Sequence, residues 1–136
     1  MSRDFKIRLG WLRFMYIFTI ISAGGTGLGM VFLPDIMESV FGFPSQDPIV
    51  SGAYGCMLIS SGILAALGLR SPLKFVPLLL FQLFYKPIWF AAVLLPFLLA
   101  NELQMYVIVF IVIFAFFIIG DLIAIPFSYI LSKESA

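Results

Sequence analysis

Four long apolar runs, separated by short polar links, make up nearly the whole chain. They cover residues 9–33, 49–69, 75–100 and 105–131. Each meets or exceeds the roughly 20 residues that a helix rising ~1.5 Å per residue needs to cross ~30 Å of hydrocarbon. Lipid offers no partner for open backbone groups, so helices are the expected form. Nothing in the chain alternates as the strands of a membrane barrel must. Two links, "RSPLK" and "NELQ", are short enough to force neighbouring helices antiparallel. The expected fold class is all-α: one integral membrane domain over residues 1–136, folded as an antiparallel four-transmembrane-helix bundle.

The remaining link, 34–48 ("PDIMESVFGFPSQDP"), is the long one. Pro34 ends a helix, and Asp35 is placed to cap a short turn through "IMESVFGF". Ile36, Met37, Val40 and Phe41 at helical spacing suggest a half-embedded interfacial piece. Pro44 and Pro48 bracket a turn before the second run. A plain connector is the preferred reading of this loop over a substrate lid. The first run is too long for a signal-peptide core, and no small-residue cleavage site follows at short spacing, so it is read as a retained helix.

Composition agrees with the pattern. Of 136 residues, 62% are hydrophobic and 11% charged, with 16 Phe and a mean hydropathy of +1.14. A soluble domain carries about 25% charged residues. The formal net charge of +1 offers no field for nucleic acid. One cysteine, Cys56, allows no disulfide within one copy, and the absence of histidine removes the commonest metal ligand and general base. No cofactor is expected, and catalysis is disfavoured without being excluded.

Charge asymmetry predicts the threading. Arg3, Lys6, Arg8, Arg13, Arg70, Lys74 and Lys133 all fall on one side of a four-helix path. The opposite loops hold Asp35, Glu38, Asp47 and Glu102 and no basic residue. By the positive-inside rule both termini are cytoplasmic, in an inner (plasma) membrane. Trp11, Tyr16, Tyr106 and Tyr129 are read as interfacial aromatics, and Arg13 as a snorkelling cation.

Two ionisable residues lie deep in the runs. Lys86 is twelve residues past Lys74, and Asp121 twelve before Lys133. Both are therefore expected ~18 Å in, on neighbouring helices. An isolated charge there costs about 3 kcal/mol, so a Lys86–Asp121 ion pair is the central structural expectation. Gln82, Lys86 and Trp89 share one helical stripe with Tyr85 beside it, and Ser22, Ser60 and Ser61 fall near the same depth. These eight residues form the expected midplane polar layer, read either as a staple between helices or as a ligand site. Pro87 frees the carbonyl of Leu83, a possible acceptor for the lysine, and Pro96 repeats the break further out. "GGTGLG" (24–29) lies within a run and follows no strand, so it is not read as a phosphate loop. Gly25 and Gly29, with Ser51, Gly52, Gly55 and, further along, Gly62, are expected instead to pack the first two helices together. Cys56 is read as a small apolar filler, and no internal repeat is visible.

The glycine-rich first helix, "LPD…VFGF" in the first loop, "SPLKFVPLLLFQLFYKPIW" and "DLIAIPFSY" together resemble the DoxX-like group of small four-helix bacterial membrane proteins. The resemblance spans nearly the whole chain. It implies that Gln82, Lys86, Asp121 and Pro126 are the polar words of the family, and accessory roles more readily than catalysis. Three functions follow as expectations. The first is a non-enzymatic accessory or assembly subunit of a larger membrane-protein complex. The second is a binder or transporter of a small lipophilic or charged molecule, working as a homo-oligomer, with Gln82, Lys86 and Asp121 as its site. The third, least favoured, is an enzyme using Lys86 as base or Schiff-base amine.

Overall fold

A computed structural model describes residues 7–133, and every regular element among them is helical. Four helices are long and apolar enough to cross a membrane: helix 1 (Leu9–Phe32), helix 2 (Pro48–Arg70), helix 3 (Val76–Ala100) and helix 4 (Met105–Ala124). A shorter helix, Pro34–Phe41, lies in the long loop. Arg3 and Lys6, two members of the basic set, lie outside the described residues.

Helix 4 stops at Ala124, seven residues before the end of the apolar run. Pro126 is the cause, because its ring disfavours helical geometry at the preceding residue. Ile125 is accordingly extended, at φ −70° and ψ 125°, and only a single turn, Phe127–Ile130, follows. The Arg8 guanidinium donates to the Ile123 carbonyl at 3.0 Å. Last-turn carbonyls have no helical partner and carry the negative end of the dipole, so a cation suits them. The bond places the start of helix 1 beside the end of helix 4.

The long loop is built differently from the expectation. Pro34 opens the short helix as its first residue, and Asp35 sits in the first turn without capping it. Gly42, at φ 72°, ends that helix in the left-handed geometry that glycine adopts without penalty. The capping residue is Asp47, whose carboxylate accepts from the N–H groups of Ile49 at 2.8 Å and Val50 at 3.1 Å. Pro48 follows at the first helical position, where a missing N–H costs nothing.

Helices 1 and 3 each contain one wide π turn, Ile20–Gly24 and Phe90–Leu94. In helix 3 the turn falls between Pro87 and Pro96, each of which removes a donor from the ladder. No proline accounts for the turn in helix 1, which ends beside the pliable Gly24–Gly25 pair.

Helices 1 and 2 meet backbone to backbone. A Cβ at Gly27 would fall 2.6 Å from the Gly55 carbonyl oxygen, and one at Gly62 would fall 3.0 Å from the Gly24 Cα. The seam is thus Gly24, Gly27, Gly55 and Gly62, and of the predicted packing glycines Gly55 and Gly62 belong to it. Gly25 and Gly52 face open space, while Gly29 is covered by Met37 of the loop helix. The inward stripe of helix 1 passes through Ala23 and Gly27. Gly25, two residues from either, is turned away by ~200°.

The core joins Leu12, Met15 and Tyr16 of helix 1 to Ala65, Leu79 and Phe117 from the other three. Tyr16, read from sequence as interfacial, is fully buried. Its hydroxyl donates to the Pro72 carbonyl, and its ring lies against Gly68, where an added Cβ would come within 2.8 Å.

Candidate functional site

Besides Tyr16, the described residues enclosed by the bundle include the polar side chains of Thr19 of helix 1, Gln82 and Lys86 of helix 3, and Asp121 of helix 4. Gln82 and Lys86 lie one turn apart on the inward face, as their spacing predicts. Thr19 donates to the Met15 carbonyl at 2.8 Å and stands 3.5 Å from Gln82 Oε1.

Lys86 and Asp121 face the same interior, 1% and 0% exposed, and each lies in the other's electrostatic field. The predicted ion pair nevertheless does not close. Lys86 Nζ donates to the Tyr85 hydroxyl at 3.1 Å, and neither carboxylate oxygen of Asp121 has a hydrogen-bond partner among the described residues. Nζ lies 3.9 Å from the centre of the Phe117 ring, 4.4 Å from Tyr85 and 5.3 Å from Phe114. Aromatic faces can hold a desolvated cation for ~2 kcal/mol, which recovers part of its burial cost. The reason for the miss is the early end of helix 4. Counting twelve helical residues back from Lys133 includes nine beyond Ala124, and of these only Phe127–Ile130 form a helical turn. Asp121 belongs to the last turn of helix 4, and Phe117, one turn further in, meets the ammonium instead. Nor does Lys86 use the Leu83 carbonyl that Pro87 frees.

The ammonium opens onto a cavity of about 70 Å³. Tyr85, Ser22, Thr26, Tyr54, Phe114 and Phe117 form its sides, and Met37, Phe41 and Phe43 of the long loop cover it. A cavity near 150 Å³ is needed for a bare benzene ring, so this chamber has room for water or a small polar group only. Next to it lies a hollow of about 510 Å³ bounded by Trp89, Phe97, Tyr106 and Gln46, among others. Phe43, Tyr54 and Phe110 line both spaces. The outer hollow is of ordinary ligand-pocket size, and together the two place an aromatic vestibule beside a lysine-bearing chamber.

The predicted layer is therefore split. Ser22, Tyr85 and Lys86 line the chamber, Gln82 packs behind it, and Asp121 is enclosed nearby without touching it. Trp89 belongs to the outer hollow, stacked on Phe110 at 5.9 Å. Ser60 and Ser61 lie elsewhere. Their hydroxyls donate to the carbonyls of Cys56 and Met57 in their own helix, at 2.9 and 3.0 Å, and they line a groove between helices 2 and 3. Cys56, read as a filler, is exposed along the same groove. Thr19, Thr26, Tyr54 and Phe117 were not singled out in the sequence. Tyr16, Thr19, Ser22 and Thr26 recur every three or four residues, a polar stripe that could have revealed the first two. Tyr54 and Phe117 carry no such signal.

Among the described residues, no three His, Cys, Asp or Glu side chains come together as a metal site would require. Comparison with family models, curated proteins and solved structures finds no match. The chemistry at hand is that of a buried donor: Lys86 has three N–H bonds, of which Tyr85 takes one, facing an aromatic space.

Proposed function

We propose that this chain is a membrane-embedded binding protein for a small lipophilic molecule bearing a carboxylate or carbonyl, which Lys86 holds. One observation carries the proposal: a fully buried ammonium with no carboxylate partner among the described residues opens onto an aromatic-walled cavity under a loop cover. A subunit serving only as an adhesive has no use for a charge that costs about 3 kcal/mol to place there. A ligand acceptor at Nζ offsets that cost and fills the chamber. A ring-bearing ligand fits once Met37, Phe41 and Phe43 give way, since 70 Å³ is too small for it as it stands.

The same proposal takes the four helices as an antiparallel bundle with both termini in the cytoplasm of an inner membrane. The short links and the one-sided distribution of Arg8, Arg13, Arg70, Lys74 and Lys133 support it. Loop helix and vestibule then face outward, and ligand arrives from that side. The DoxX-like affiliation belongs to the proposal too, resting on the sequence words that contain Gln82, Lys86 and Asp121. One copy suffices for binding. Four helices scarcely enclose an aqueous path, so transport would need a homo-oligomer.

The test is equilibrium dialysis of the full chain in a neutral detergent, with benzoate and toluene as probes. Native protein is expected to retain benzoate at least tenfold better than toluene, and Lys86→Met to lose that preference while toluene retention stays. Equal retention of the two probes by native protein, or an unchanged preference in Lys86→Met, defeats the reading.

A further inference from the structure

A second site, independent of the Lys86 chamber, lies between helices 2 and 3. These helices are joined by only five residues, 71–75, yet helix 2 lies along helix 1 and touches helix 3 sparingly. The gap is a groove of about 600 Å³. Met57, Leu64, Phe75, Leu78 and Phe81 supply apolar walls, and Lys74 stands at the end where the two helices join. The Lys74 side chain has no hydrogen bond or ion pair among the described residues, and Arg70 is exposed in the last turn before the link.

We infer that this groove seats one acyl chain of an anionic phospholipid, with its phosphate on Lys74. Three observations converge. Cys56, the farthest lining residue on helix 2, lies fourteen residues before Arg70, so the groove runs ~21 Å from the basic end, the depth of one leaflet with its headgroup layer in a bilayer about 40–45 Å thick. Its walls are apolar along that depth, and the serine hydroxyls are already satisfied within helix 2, so a hydrocarbon chain strands no donor. The unpaired cation sits at the headgroup end, where basic pockets between transmembrane helices select anionic lipid.

Native mass spectrometry of the full chain, titrated with equimolar phosphatidylglycerol and phosphatidylcholine of identical acyl chains, tests this. Native protein is expected to retain phosphatidylglycerol about fivefold over phosphatidylcholine, the advantage one lysine near an anionic headgroup confers. Lys74→Gln should bring the ratio to about one, and Lys74→Arg should keep it. Ser61→Trp, which fills the groove, should lower retention of both lipids. Equal retention by native protein, or a ratio unmoved by Lys74→Gln, overturns the inference. So does a Ser61→Trp variant that keeps its lipid, and a loss of dimer in that variant would assign the groove to a second copy.

Discussion

The two faces of helix 1 are built on opposite principles. Toward helix 2 it presents Gly24 and Gly27, and backbone meets backbone there, with the side chains of Val31 and Ile59 packed alongside. Toward helices 3 and 4 it presents Met15, Phe18 and Thr19, and large rings fill the gap: Phe18 lies 4.6 Å from both Phe116 and Phe117. At Gly27, Gly55 and Gly62 the seam leaves no room for an added Cβ. Rings fill volume imperfectly, and the space they leave is where the chamber and the buried charges are found. Rigidity and room are thus allotted to different sides of one helix.

Substitutions can break this contrast, and the largest effect is expected at the seam. Gly27→Leu drives a side chain into the Gly55 carbonyl and the Ile59 amide, backbone atoms that cannot move aside. Loss of about 3 kcal/mol or more is expected, read as folded fraction in a denaturing-detergent titration. On the aromatic side, Asp121→Leu should leave stability unchanged or raise it by up to ~2 kcal/mol, since neither oxygen has a partner to lose. A loss of 3–5 kcal/mol in the same titration would mean that the carboxylate is paired with Lys86 after all. Tyr16→Phe removes one hydrogen bond, that to Pro72, and should cost about 1 kcal/mol. The smallest effect belongs to Gly25→Ala and Gly52→Ala, whose added methyls meet open space. Each should stay within about 0.5 kcal/mol of native or gain slightly from better helix propensity, and thermal midpoints check this. A large loss at either would restore the glycine pairing read from sequence.

Residue by residue, legibility followed how local the cause was. The inward stripe of Gln82 and Lys86 is a property of helical spacing, so it could be read directly. The Asp47 cap is legible in "DPIV", an acidic residue directly before a proline that opens a helix, whereas Asp35, the expected cap, follows its proline and so falls inside the first turn. Trp89 was placed one layer too deep, on the stripe of Lys86, whereas it belongs to the outer hollow. Ser60 and Ser61 were assigned to the interior by depth alone, and depth does not say which way a helix faces. The ion pair failed for a related reason: its geometry assumed a helix that Pro126 had already ended.

What the chain determined by itself is the existence of four apolar helices and the burial of a few polar groups among them. Hydrocarbon leaves the backbone no alternative to internal hydrogen bonds, and run length decides the rest. What only tertiary structure decided is which glycines meet, where the rings leave a void, and what the lysine touches. Those outcomes depend on rotation, on helix ends and on competition between neighbours for one ammonium. None is a function of distance along the chain.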